Sequence, residues 1–410
     1  MLRVLPITPV AVLALGFVSI TYPAPRQDSP VRGRWESEPS QWEGRTRLHL
    51  QLRATVDGER LHSGFTIDED LLDGTVPLGY TDERTPVQFR LERDAGTLSF
   101  EGVQDGREAW GDFTWVGDPE FLRRMETLGY RDITQRQHFS MTLHDVSTDF
   151  VSDMQDAGYT GIAIRDLLRF RIHQINTEYV QGLAAAGYED IPADELVRLR
   201  IHGVTGRYIR DLADLGFDDL SLDDLRRARI HGVSRAHAEE MARLGYRDSS
   251  LEGLIRMRIH GVTAAYVEDL VAAGLHDVSL DEIVQMRIHG VSTDFVEALS
   301  RLGYEDLSAG ALKRFRIHGV SPEFIAEMAE LGHADLSTDE LTRFRIHGVS
   351  PEFVREMAQV GYPDLLAGDL VRFRIHGVDA DFVRELDEHG VKDLSPEGLV
   401  RMKIVGRWWH

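Results

Sequence analysis

Residues 345–362 read Arg-Ile-His-Gly-Val-Ser-Pro-Glu-Phe-Val-Arg-Glu-Met-Ala-Gln-Val-Gly-Tyr. Ser350 can cap a helix by accepting a backbone N–H, and Pro351 suits the first helical position, where a missing N–H costs nothing. Phe353, Val354, Met357 and Val360 then fall at i, i+1, i+4 and i+7, one face of a helix. Gly361 can take the left-handed conformation that ends that helix, and Tyr362 can fold back on its last turn. The preceding stretch predicts a second helix. Ser337 and Glu340 form a capping box, Leu341, Phe344 and Ile346 carry the apolar side, and Gly348 stops the helix before Val349.

This pattern returns every 29 residues. The histidines of the Arg-Ile-His-Gly-Val run stand at His202, His231, His260, His289, His318, His347 and His376, and His173 and His144 continue the series backwards. The first-helix stops keep the same step from Gly129 to Gly390, as do the first-helix caps from Asp118 through Ser147 and Asn176 to Asp379. Helices of about 10 residues are marginal alone, so their faces must be buried by stacked neighbours. The expected fold is mainly α: an α-solenoid of ten 29-residue helix–turn–helix repeats, preceded by a small antiparallel β domain. The first unit has a more polar second helix, and the last replaces the histidine with Val405, as terminal repeats often do.

Residues 33–116 alternate with a period of two. Leu48, Leu50 and Leu52 interleave with polar residues, as do Val87, Phe89 and Leu91, with turn signals at Asp57-Gly58, Asp94-Ala95-Gly96 and Asp105-Gly106. Five or six strands in a sheet or half-barrel are expected, the last running from Asp112 to Val116 into the first repeat and covering the end of the solenoid. A ligand cup is the alternative. Arg3 followed by the apolar run Val10–Ile20 reads as an export signal. The expected division is 1–25 signal peptide, 26–32 linker, 33–116 β domain, 117–407 repeats and 408–410 a C-terminal cap. That places the protein in the periplasm or outside the cell, with an uncleaved N-terminal anchor as the alternative. No other segment is apolar enough to span a bilayer, so no membrane span is expected in the mature chain.

The 410 residues carry a formal net charge of −22 and no cysteine. Disulfides, thiolate metal sites and a cysteine nucleophile are excluded. A nucleic-acid partner is not expected, because phosphate binding needs a basic field.

Three recurrent rows could carry chemistry. The histidine row places one imidazole per repeat, and packed helices lie about 10 Å apart, too far for a shared ion. A capping role at the negative helix end is expected instead. Two residues earlier, Arg200, Arg316 and their equivalents point close to the apolar face, and the recurrent turn aspartates, among them Asp306 and Asp335, are the expected ion-pair partners. The third row, Arg198, Arg227, Arg256, Arg314, Arg343 and Arg372, points away from the core. It is a solvated face or a candidate binding stripe for an anionic ligand. No catalytic, cofactor-binding or metal-ligating residue is expected, and no cofactor. A binding site is expected where repeats differ, as at His237, Ala265 and His333.

The unit ending in Arg-Ile-His-Gly-Val, with the β segment Val-Gln-Phe-Arg-Leu-Glu-Arg-Asp-Ala-Gly-Thr-Leu-Ser-Phe-Glu-Gly at 87–102, resembles repeats that follow the peptidase domain in antirepressor-type bacterial membrane metallopeptidases of the β-lactam-sensor class, and related free-standing exported proteins. The resemblance covers about 33–407 and implies architecture. It carries no activity, since the zinc-binding peptidase motif of those enzymes is absent here. The expectation is a non-catalytic extracytoplasmic repeat protein that binds a protein or peptide or acts as a scaffold in envelope signalling. A purely structural spacer is one alternative. An unrecognised hydrolase with its site at the β domain–solenoid junction is the other.

Overall fold

The computed structural model describes residues 29–42 and 45–406, so the expected signal peptide at 1–25 and the C-terminal tip at 408–410 lie outside the described residues. Seven strands occupy the N-terminal region: β1 (Val31–Trp42), β2 (Arg45–Val56), β3 (Glu59–Asp68), β4 (Leu72–Thr75), β5 (Thr81–Arg93), β6 (Gly96–Gly106) and β7 (Glu108–Gly117). They pair antiparallel in one open sheet of order β3-β2-β1-β7-β6-β5-β4. The count exceeds the expected five or six. β4 is four residues of Leu-Asp-Gly-Thr, too short to show alternation, and is held by pairing Leu72 with Leu91 and Thr75 with Gln88.

Alternation decides which side of the sheet is buried. Leu48, Leu50, Leu52, Val87, Phe89, Leu91, Leu98, Phe100, Phe113 and Trp115 all lie in one core. Trp35 meets Phe89 and Phe100 edge-on at 5.2 and 5.9 Å, the offset geometry that aromatic quadrupoles favour. Asp57 and Gly58 both have positive φ, 52° and 80°, as the tight hairpin between β2 and β3 requires.

Twenty helices follow in ten pairs from Pro119 to Val405. All ten expected first-helix caps act as such: Ser350 accepts from the Phe353 amide, and Asp118, Ser147, Asn176, Thr205, Ser234, Thr263, Ser292, Ser321 and Asp379 accept likewise. The Ser337–Glu340 box is formed. Gly348 stands at φ 70°, the Val349 amide donates to Phe344 O at 2.8 Å and the Gly348 amide to Arg345 O at 3.4 Å. These are the two bonds of a Schellman ending, with Val349 buried behind them.

The described chain divides into two compact units, one ending at Ile201 and the other beginning at His202. In the C-terminal unit, first helices pack on first helices of the next repeat and second on second, from Ala264–Ala272 and Leu280–Ile288 onward. Phe315, Phe344 and Phe373 lie fully buried between them. Ile346, expected on the apolar side of its helix, is 53 % exposed. It lies five residues after Leu341, about 140° round the helix, so it cannot share that face.

In the N-terminal unit the sheet covers the first helix pair. The second helix of that pair, Gln135–Leu143, lies against β6 and β7. Phe139 stacks on Phe113 at 6.1 Å and meets Trp115 at 5.1 Å, and the Trp115 indole donates to Thr142 Oγ1 at 3.0 Å. Arg93 donates to Thr142 O and Leu143 O at 2.7 and 2.6 Å. It satisfies carbonyls at a helix end that would otherwise be orphaned. Among the described residues no helix is long and apolar enough to cross a membrane.

Candidate interaction surface

From His173 to His376, the arginine two residues before the ladder histidine stacks on an aromatic ring in every repeat except that of Arg258. Arg316 lies over Phe295 at 5.0 Å from the ring centroid, Arg345 over Phe324 at 4.9 Å and Arg374 over Phe353 at 5.0 Å. Arg171, Arg200, Arg229 and Arg287 do the same with Phe150, Tyr179, Tyr208 and Tyr266, and Lys403 with Phe382. The ring belongs to the first helix of the same repeat. The other side of the guanidinium faces the end of the preceding second helix: Arg200 Nε donates to His173 O at 3.1 Å, Arg229 to Gly203 O at 3.1 Å and Arg258 to His231 O at 3.2 Å. A cation there meets the negative end of the helix dipole.

Two expectations are therefore corrected. The ladder is not an Arg–Asp ladder: among the described residues no ion pair joins Arg316 to Asp306 or Arg345 to Asp335. Asp306 instead stands at φ 53°, with Asp190, Asp219, Asp277 and Asp393 between 53° and 56°. Aspartate tolerates this left-handed conformation better than most residues, which suits it to these five turns; Asp335 is not left-handed. The histidines sit at the second-helix ends as expected, His231 and His289 as C-caps and His318, His347 and His376 as last residues. The hydrogen bonds to the free carbonyls come from arginine, however, and the imidazoles of His202, His260 and His376 are exposed. The signal for this in the sequence is an aromatic residue 21 positions before each ladder arginine, with His237 before Arg258 as the exception.

The third row is largely neutralised in place. Arg227 pairs with Glu252 at 3.0 Å, Arg256 with Asp281 at 2.6 Å and Arg314 with Asp339 at 3.4 Å, each partner opening the second helix of the next repeat. Arg198 pairs with Asp194 and Glu195, and Arg372 with Asp369, inside their own helices. Arg343 takes no carboxylate from the next repeat, where the position 25 residues on is Gly368, and its charge acts instead on Glu340 of its own helix.

Between the ladder arginine and the histidine, or between Lys403 and Val405 in the last repeat, every repeat after the first exposes an isoleucine. Ile172 and Ile201 do so in the N-terminal unit, and Ile230, Ile259, Ile288, Ile317, Ile346, Ile375 and Ile404 in the C-terminal unit, from 46 % at Ile288 to 55 % at Ile201. In the first repeat the equivalent residue is Leu143, which is buried in the core shared with the sheet.

The three positions singled out as varying between repeats differ in burial: His237 is buried, His333 half-buried and Ala265 exposed. Both ring nitrogens of His237 are unpartnered, and burial, with Arg258 adding to it, lowers its pKa. His333 meets Phe344 edge-on at 6.3 Å, and burial lowers its pKa too. Where the ring is tyrosine, burial pushes the Tyr208 and Tyr266 hydroxyls up to about 12, and each donates to a Val233 or Val291 carbonyl.

At the junction of sheet and first repeat the charged groups are tied into packing. Burial works to raise the Asp94 carboxyl, but the Thr148 amide and hydroxyl and the Arg124 guanidinium outweigh it and leave it lowered. His138 is buried between Phe121 and Trp115, and burial lowers its pKa. The face a ligand cup would present is filled by the core. On the other face, Arg34, Glu36, Glu38, His49, Gln51 and Trp110 line a hollow of about 570 Å³. No protein-family model matches the chain, and no curated protein is similar to it.

Proposed function

We propose that this is a non-catalytic, exported repeat protein whose helical repeats bind a protein or peptide partner, and that the isoleucine row of the C-terminal unit, from Ile230 to Ile404, is the binding face. The carrying observation is repetition of exposure. Folding explains a buried residue kept in every repeat, but a half-exposed isoleucine at one position in nine repeats contributes little to the core. Contiguous exposed apolar surface marks interaction sites. The first repeat supports the reading from within the chain: where the sheet is at hand, the equivalent Leu143 is covered. Export rests on the apolar N-terminal run, and a role in envelope signalling rests on the resemblance of the repeats.

The test is the triple variant Ile259→Ser, Ile288→Ser, Ile317→Ser. Each change removes a half-exposed side chain, so each should cost under about 1 kcal/mol, and helical circular dichroism should be retained. Envelope extracts passed over the wild-type chain and the variant should lose a retained protein in the second case. Equal retention by a folded variant would leave the spacer reading in its place.

A further inference from the structure

We infer that the segment recognised by the isoleucine row is an extended, acidic polypeptide in the polyproline-II conformation with an aliphatic side chain at every third residue. This rests on the row being a docking face, and it adds the chemistry of the occupant.

The first argument is spacing. In the C-terminal unit successive second helices pack side by side, and packed helices lie about 8–10 Å apart. The isoleucines stand at the same position of each of these helices, one per helix, so they are expected to repeat at about that step. A β-strand presents the same face every two residues, about 6.6–6.8 Å, and falls out of step after one repeat. A polyproline-II helix has three residues per turn and a rise of about 3.1 Å, so one side of it returns roughly every 9.3 Å. An α-helix returns after seven residues, about 10.5 Å, but it docks through an apolar stripe at least about 100° wide. The row here is one side chain across. Arg345 directly precedes Ile346, and Arg343 lies three residues before it on the same helix face.

The second argument is charge. Arg229, Arg258, Arg287, Arg316, Arg345 and Arg374 are exposed, and none has a carboxylate partner among the described residues. Shortage does not explain this, because the chain holds 68 Asp and Glu against 46 Lys and Arg. Three third-row arginines, Arg227, Arg256 and Arg314, do take carboxylates from the next repeat. Each unpaired guanidinium carries five N–H donors and spends at most a few on the preceding helix end. A polyproline-II segment has no internal hydrogen bonds, so its carbonyls are free to accept. Carboxylates between its apolar residues would complete the row.

The experiment uses the full chain and a fluorescent synthetic peptide of Leu-Pro-Glu triplets, one triplet for each of the seven isoleucines from Ile230 to Ile404. Fluorescence anisotropy should show binding that weakens about tenfold or more between roughly 50 and 300 mM salt. The Ile259→Ser, Ile288→Ser, Ile317→Ser variant should bind about tenfold more weakly. Leu-Pro-Lys triplets should not bind, and a peptide alternating Leu and Glu should bind about tenfold more weakly. The two charge-opposed peptides are compared on the wild-type chain, so the result does not depend on the variant folding. Equal binding of the lysine peptide, or no binding of the acidic triplets at millimolar concentration, overturns the inference. If a protein from envelope extracts is lost by the variant while the acidic triplets fail to bind, the docking face stands and the extended acidic occupant falls.

Discussion

Arg316 is held by two attractions at once, the face of Phe295 beneath it and the negative end of the preceding helix beside Gly290. Removing the side chain in Arg316→Ala should cost about 1–3 kcal/mol, a cation–π contact plus a charge–dipole interaction. Asp306→Ala should cost about 1 kcal/mol for a different reason, a left-handed residue losing its tolerance of φ 53°. Because the two do not touch, the double substitution should be additive within about 0.5 kcal/mol in chemical denaturation. A larger coupling would restore the ion pair that the sequence suggested. His237 gives the complementary case. Its ring is buried neutral with a lowered pKa, so below the ordinary imidazole value of about 6.5 the unfolded chain binds a proton that the folded chain refuses. Stability therefore falls as pH drops through that region, and buried His138 and half-buried His333 add to the fall. His237→Tyr would supply the ring that Arg258 lacks and a hydroxyl placed as in Tyr208 and Tyr266. It should raise the melting temperature, and raise it more at pH 5 than at pH 8. An equal gain at both would mean the ring's protonation is not what costs stability.

From the third repeat to the ninth each helix pair is ended twice by a left-handed glycine, and the ending is where the backbone is most constrained. A Cβ on Gly348 would stand 3.2 Å from Arg374 Nη2, and φ is 70°. Gly348→Ala should cost about 1–2 kcal/mol. Gly348→Asn should cost less, since asparagine tolerates this region and the degenerate repeats place Asp145 and Gln174 there at 56° and 55°. Equal losses, measured by thermal denaturation, would show that crowding against Arg374 rather than backbone strain sets the penalty. Elements like these were legible beforehand because caps and stops are local: Ser350, Glu340 and Gly348 act within four residues of themselves. The β2–β3 and β5–β6 hairpins were legible for the same reason, through Asp57-Gly58 and Asp94-Ala95-Gly96. What escaped depends on distance in sequence. The partner of Arg316 lies 21 residues back and that of Arg314 lies 25 forward, and a charged residue near an apolar face does not say whether a carboxylate or a ring awaits it. Ile346 misled because it adjoins the apolar stripe in sequence while pointing about 140° away from its leading leucine. That exposed position now carries the functional reading.

At the scale of the whole molecule, a repeat stack must bury the outer face of its first pair, since each repeat is stabilised by its neighbours. In the N-terminal unit the sheet does this, and the two structures share one core rather than meeting at a polar seam: Phe139 is fully buried against Phe113 and Trp115, and Leu143 joins the cluster that contains Leu48 and Phe89. The polar second helix of the first repeat makes sense on these terms. His138 and Thr142 stand where later repeats carry apolar or charged residues, and Thr142 receives the Trp115 indole while its carbonyl receives Arg93. Phe139→Ala should cost about 3–5 kcal/mol, the loss typical of a buried aromatic, and should shift the sheet and the first helices together. Near-ultraviolet circular dichroism dominated by the buried Trp35 and Trp115, and hydrogen exchange at Leu143 and Val146, should report the same lowered midpoint. If the indole signal kept its wild-type midpoint while those amides lost protection, sheet and repeat would be separate cooperative bodies. The sheet would then be an attached domain rather than the cap on which the first helix pair depends.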